Sequence, residues 1–434
     1  MNRRGVCYDV GTVFSGFPWR VHTRPVLGAQ TIRRELEIIR DGLHCNAVRI
    51  TGRDAGRLMT AAEIALDLGL EVWLSPALYE KSPDQTLGYY LAVAEAAEKA
   101  RARSGGHPAE QAGATSRAGA TSRAGTAPRD GTAPRAGAAG PAPEDGAGDC
   151  EGTGPGEQHP AGRCATCPGA LCRRIFPAAG PPVTSQIVFC LGGELSLFMR
   201  GIVPGRSIPE RVANMISQAR AGSTAHTGLL NDFLGRASER VREVFGGPLS
   251  YASLAGERVD WEPFDFVGVD HYRDARIKDQ YAGMLQPFFG SGKPVVVTEV
   301  GMRGYRGAEE SGTLGFGVVD HRSLFLHQLP LVGRLVRTRL NGAYVRDESL
   351  QARELTEILG ILGATGVDGV FVSSFVEPLH PFSEDPRHDL DMSALSLVKS
   401  YDIGRGSTYP DMPWEPKQAF RAVADCYAGQ SARV

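Results

Sequence analysis

Two glutamates stand where apolar runs stop. Glu194 closes Val188-Phe-Cys-Leu-Gly-Gly-Glu, and Glu299 sits in Val295-Val-Val-Thr-Glu-Val-Gly. A lone carboxyl at the end of a buried strand is costly unless it is paired or used. Two of them facing each other can do acid–base and nucleophilic chemistry on one bond. Cleavage of an acetal by double displacement needs one carboxyl protonated, to assist the departing oxygen, and one ionised, to attack carbon. Different surroundings separate the two pKa values. Arg49, in Ala47-Val-Arg-Ile, is placed to keep one glutamate ionised, and Tyr272, in Val269-Asp-His-Tyr, to orient it. Other strand ends offer Asp9, Ser75, Ser253, Asp270, His271 and Phe375.

The elements that must position these residues alternate between strand and helix. Apolar strands are expected at Gly5–Val10, Asn46–Ile50, Glu71–Leu74, Ile187–Leu191, Leu249–Ala252, Phe264–Val269, Pro294–Thr298 and Gly369–Phe375. Amphipathic helices are expected at Gln30–Leu43, Leu58–Leu68, Thr86–Ala102, Leu229–Phe245, Leu350–Leu362 and Lys417–Tyr427. Eight apolar strands separated by such helices predict an α/β fold, a (β/α)8 TIM barrel, whose site lies at the C-terminal ends of the strands. An open doubly wound sheet is the alternative; no Gly-x-Gly-x-x-Gly turn follows the first strand, which weakens a dinucleotide-binding version of it.

One stretch breaks the alternation. Residues 104–182 are Ala, Gly, Pro, Arg and Thr, with near-repeats such as Gly113-Ala-Thr-Ser-Arg-Ala. Such a segment buries too little to offset chain entropy. It is expected to be a dispensable, disordered insertion between helix 3 and strand 4, which divides the barrel into residues 1–103 and 183–434. Cys150, Cys164, Cys167 and Cys172 lie in it with His159; their irregular spacing argues against a zinc site. Cys7, Cys45, Cys190 and Cys426 read as small buried hydrophobes.

Bulk composition excludes more than it proposes. The 434 residues carry a formal net charge of -2, which points neither to nucleic acid nor to an anionic membrane. No run approaches a membrane span and no signal segment is visible, so a cytoplasmic protein is expected. No His-x-His follows strand one, so no metal site is expected, and no cofactor is implied. Gly301, Gly304 and Gly307 with Arg303 and Arg306 follow strand seven, where phosphate can bind, but fit no specific motif.

The order of these motifs resembles the clan of retaining glycoside hydrolases with (β/α)8 barrels. The resemblance rests on Glu194 and Glu299 after strands four and seven, Arg49 on strand two, Tyr272 after strand six, Thr298-Glu-Val-Gly, and Trp414-Glu-Pro-Lys-Gln-Ala-Phe. It implies a carbohydrate partner, Glu194 as acid/base and Glu299 as nucleophile, with carboxyls roughly 5–5.5 Å apart in one cleft. Arg49, Tyr272, His271, Asp9 and Phe375 would support substrate. Two positions depart from the clan: Gly193 stands where Asn is usual, and Ser373-Ser-Phe where a Trp is usual. The chain also resembles an actinobacterial barrel family labelled "abortive infection protein", through Arg33-Arg-Glu-Leu-Glu-Ile-Ile-Arg-Asp, Gly52-Arg-Asp-Ala-Gly-Arg-Leu-Met-Thr-Ala-Ala-Glu and Leu390-Asp-Met-Ser-Ala-Leu-Ser-Leu-Val-Lys-Ser-Tyr. That label implies a role in phage defence and says nothing of chemistry; the alternative reading, favoured by the two departures, is a non-catalytic barrel that binds carbohydrate or a partner in such defence.

Overall fold

The computed structural model describes residues 1–16, 19–104, 186–254, 256–312, 317–329, 331–333 and 335–431. The low-complexity segment beyond residue 104, with its four cysteines and His159, lies outside the described residues.

Eight parallel strands close into a barrel. They are β1 (Arg3–Asp9), β2 (Ala47–Gly52), β3 (Glu71–Pro76), β4 (Ile187–Gly193), β5 (Leu249–Leu254), β6 (Val267–Asp270), β7 (Val295–Val300) and β8 (Gly369–Val372). Each pairs with its neighbour in the chain, and β8 returns to β1. Side chains alternate across each strand. One set faces the surrounding helices: Val6, Tyr8, Val48, Ile50, Val72 and Leu74 belong to the large core shared with them. The other set fills the lumen, where Cys7, Ala47, Trp73, Val188, Cys190, Phe266, Val296 and Phe371 form a separate cluster. Cys7, Arg49, Trp73 and Val188 share a register level across the first four strands.

The helices form for reasons visible in their ends and faces. Ala55–Asp67 starts at Asp54, whose side chain accepts from the Arg57 N–H, and is followed by Gly69 at φ +79°. Glu348–Thr365 is capped by Asp347 and ends at Gly366, φ +88°. Ala29–Asp41 buries Ile32, Leu36 and Ile39, one helical face.

The lower end of the lumen is polar but paired. Glu71 is fully buried and accepts from Arg3 Nε at 2.5 Å and Trp73 Nε1 at 2.6 Å, while Arg3 also reaches Asp368. The Arg3 guanidinium lies 4.6 Å from the centroid of Phe266.

Several sequence expectations are corrected. Strand eight ends at Val372, three residues before the expected Phe375, and strand six begins at Val267 rather than Phe264. Helix Ile208–Arg220, the hairpin Val13–Gly16/Trp19–His22 and the helix His321–Gln328 were not anticipated. Cys7, Cys45 and Cys190 are free and buried, whereas Cys426, also buried, is disulfide-bonded. Among the described residues no helix is long and apolar enough to cross a membrane.

Candidate active site

Both glutamates line one cavity of ≈540 Å³ at the C-terminal ends of the strands, within the size range of small-molecule pockets. Each is delivered by an irregularity in its strand. The β4–β5 register slips between Cys190 and Gly193, and the β6–β7 register between Val269 and Asp270. Bulges of this kind re-aim a side chain. The slip on β7 sets Glu299 opposite Asp270. On β4 the chain passes through left-handed backbone at Gly192 (φ +75°) and then at Glu194 itself (φ 48°, ψ 43°). Glu194 lacks the freedom of glycine, so this conformation has to be held from outside.

Four hydrogen bonds do that. The Glu194 N–H donates to the Ala252 carbonyl at 2.9 Å. The next two N–H groups donate to Tyr251 Oη (Leu195, 2.8 Å) and to Glu257 Oε1 (Ser196, 3.0 Å). Tyr251 in turn donates to Glu257 Oε2 at 2.8 Å. A buried carboxylate and a buried phenol, both supplied by β5 and the turn after it, thus fix the turn that carries Glu194.

The two glutamates have different surroundings. Glu299 accepts from the Arg49 guanidinium on one oxygen and from the Tyr272 hydroxyl at 2.7 Å on the other. Arg49 is 2% exposed and also donates to Ser75 Oγ at 3.3 Å and to the Thr298 carbonyl at 3.4 Å. Among the described residues Glu194 has no comparable donor. Burial first, and then the Asp270, Glu299 and Glu257 carboxylates, push its carboxyl well above the usual carboxylate range, with Arg49 pulling the other way.

Asp270 is a third carboxyl in the cavity that strand-end reading did not single out. It is 3% exposed and accepts from Thr298 Oγ1 at 2.7 Å. Burial and the Glu299 carboxylate push it up to about 8. The signal was present in the sequence, since Asp270 ends its strand as Glu299 does, but only the fold puts the two side by side.

The structure brings Arg49, Tyr272, Glu194 and Glu299 together and leaves three expected residues out of the cavity lining. His271 points away: its ring stacks on Tyr281 at 4.1 Å, and Nε2 meets the Tyr281 carbonyl at 2.8 Å. Asp9 caps its own turn, accepting from Gly11 N and Thr12 Oγ1, each at 2.9 Å. Phe375 is fully buried, with its ring 5.2 Å from Trp414 and its N–H bonded to the Cys7 carbonyl. Because β8 ends early, the chain carries this ring into the core shared with the helices, beside Tyr8, rather than into the cavity. Gly193 has a local reason: a Cβ there would stand 3.0 Å from Arg49 Nη2 and 3.2 Å from the Ala252 Cβ. Any larger residue would press on the group that holds Glu299.

The other half of the cavity was not foreseen. Tyr79 stacks on Phe198 at 4.4 Å and lies 5.1 Å from Phe14. Leu197, Ile208, Val212, Met215 and Ile216 continue this wall. Among the described residues no group of three His, Cys, Asp or Glu could hold a metal ion.

No protein-family model and no curated protein matches the sequence. Among solved structures the chain is similar to a GH113 beta-1,4-mannanase in a complex, at TM-score 0.49 and 10% identity, covering 98% of each chain. It is also similar to the GH113 beta-mannanase AaManA from Alicyclobacillus acidocaldarius in complex with ManMIm, at TM-score 0.45 and 13% identity, over 99% of this chain and 97% of that one. A third is a beta-glucuronidase from Ruminococcus gnavus in complex with N1-substituted uronic isofagomine, at TM-score 0.42 and 10% identity, over 96% of this chain and 52% of that one.

Proposed function

We propose that the protein is a retaining glycosidase or transglycosidase. The observation that carries this reading is the unequal pair in one cavity: Glu299 meets two donors, Arg49 and Tyr272, while Glu194 meets none and is pushed toward its neutral form. In the first step a Glu299 oxygen attacks the anomeric carbon. The bond to the leaving oxygen breaks, and Glu194 gives that oxygen its proton. In the second step Glu194 takes a proton from water or from an acceptor hydroxyl. The oxygen so freed attacks the anomeric carbon and displaces Glu299. Arg49 and Tyr272 hold the nucleophile in place through both steps.

A panel of aryl glycosides with purified full-length protein tests the reading. Glu299→Ala is expected to remove nearly all turnover. Glu194→Ala is expected to impair poor leaving groups far more than activated aryl ones, and azide should restore it by attacking the glycosyl-enzyme. Equal losses on good and poor leaving groups would count against these roles. The second reading is a barrel that binds carbohydrate or a partner without cleaving it, in phage defence. It is favoured by Gly193 and by the withdrawal of Phe375 from the cavity, which remove an amide and an aromatic floor. It would lead if no glycoside were turned over.

A further inference from the structure

The cavity is chemically divided, and the division follows the chain. Its polar half comes from β2, β3, β6, β7 and the loop after β7: Arg49, Ser75, Asp270, Tyr272, Glu299 and Arg303. Its apolar half comes mainly from the segment that follows β4, directly after Glu194: Leu197, Phe198, Ile208, Val212, Met215 and Ile216. Helix Ile208–Arg220 is unusual in how it is held. An amphipathic helix normally buries its apolar stripe against the core. Here the only residue of the helix that is fully buried is Arg211. Arg211 forms an ion pair with Glu80 and donates to the Leu197 carbonyl at 2.6 Å and the Gly205 carbonyl at 3.2 Å. Arg211 is thus the main buried anchor of the helix, with Asn214 donating to the Pro204 carbonyl and Gln218 meeting His226 at its edge, and Ile208, Val212, Met215 and Ile216 line the cavity. Ile216 is 47% exposed, a costly position for a large aliphatic side chain if nothing covers it.

We infer that the substrate is a glycoside with an apolar leaving group, an alkyl or aryl aglycone that lies along the Phe198–Ile216 wall. This rests on the roles proposed above for the two glutamates. The side is set by the chemistry: the acid must reach the leaving oxygen, so the aglycone lies on the side of Glu194, and the wall begins at Leu197, three residues beyond it. The sugar occupies the polar half, beside Glu299. A second sugar as leaving group would set its hydroxyls against six apolar side chains with the Tyr79 hydroxyl beside them, leaving most of those hydroxyls unpaired, which is unfavourable.

The test is a chain-length series. Once the aryl panel has identified the sugar, kcat/KM is measured for its methyl, butyl and octyl glycosides. Leaving-group basicity is nearly constant from butyl to octyl, so the comparison isolates contact with the wall. A wholly buried methylene is worth roughly fourfold, so four of them partly buried should give octyl at least about tenfold over butyl. Ile216→Asn, a change at an exposed position, should bring that ratio toward one. Turnover that is independent of chain length, or that favours a free disaccharide over the octyl glycoside, overturns the inference and leaves the glycosidase reading standing. If nothing is turned over, calorimetry with octyl and methyl β-D-glucoside below the micellar concentration separates the two ideas. At least about tenfold tighter binding of the octyl compound, lost in Ile216→Asn, supports the apolar site although the enzyme reading has failed. Equal binding overturns the inference as well.

Discussion

Replacing Asp270 by Asn gives a stability signature that the site geometry specifies in sign. Asp270 is pushed up to about 8 by burial and by Glu299, whereas an aspartate in an unfolded chain titrates near ~3.9. Between those values the folded chain keeps a proton that the unfolded chain has released. Stability therefore falls as pH rises from about 4, and the full loss is reached above the folded value. Roughly four pH units at ~1.4 kcal/mol each set a ceiling of about 6 kcal/mol. Relaxation of the site and water entry reduce this, and ~2–4 kcal/mol is a realistic span. Asn keeps an acceptor for Thr298 Oγ1 and removes the titration. It also takes one of the carboxylates away from Glu194, which acts in the same direction. Urea unfolding of the wild type and Asp270→Asn at pH 5 and at pH 8.5 reads the difference. The Asn variant should gain on the wild type by at least ~2 kcal/mol between the two pH values. Parallel profiles would show that Asp270 is ionised in the folded protein at both pH values, and the electrostatic account of the cavity would fail.

Three further outcomes are expected. Arg211→Ala should leave Glu80 with only the exposed Arg200 and free the Leu197 and Gly205 carbonyls, at a local cost of about 1–3 kcal/mol; limited proteolysis and amide exchange should then rise within Ile208–Arg220 while the barrel strands stay protected, and uniform exchange would contradict the role of Arg211 as the main anchor. Glu71→Gln at the lower end of the lumen should destabilise the whole barrel by about 3–5 kcal/mol, because Arg3 loses a fully buried carboxylate, and a shift in the urea midpoint of the cooperative transition measures it. Tyr272→Phe removes one of the two donors to Glu299 and should lower kcat/KM by roughly 10²-fold on the best aryl glycoside, with the folded state unaltered; unchanged kinetics would remove Tyr272 from the site.

Apolar runs made the barrel readable before any coordinates. All eight strands overlap apolar segments of the sequence, although β1 begins on Arg3-Arg4 and β5 is interrupted by Ser250 and Ser253, and the two glutamates follow from reading where those segments stop. What stayed hidden depends on long-range contact. Helix Ile208–Arg220 carries Ile208, Val212, Met215 and Ile216 at helical spacing, so its pattern was there to be read; what its stripe faces was not. Its anchor, Glu80, lies 131 positions away in the chain. Phe375 was misplaced because Phe375 and Val376 follow Ser373-Ser374 closely enough to read as one strand with Gly369–Val372, whereas pairing stops at Val372, and pattern alone cannot tell a strand from a buried turn. Asp270 and Glu299 each end a strand, but their opposition depends on a register slip that no local rule predicts.

The pairing at the foot of the barrel has a consequence for how the chain is made. Arg3 and Glu71 leave the ribosome long before Asp368, which binds both the Arg3 guanidinium and the Asn2 and Arg3 backbone N–H groups. Until then β1 and β7 are open edges of a curved sheet, with unpaired N–H and C=O groups along them. Closure therefore waits for the last barrel strand, and until it emerges the nascent sheet is able to pair with the wrong neighbour. Arg3, held in an ion pair with Glu71 before its last partner arrives, keeps a charge at the foot of that open seam, where a strand from another molecule would have to bury it.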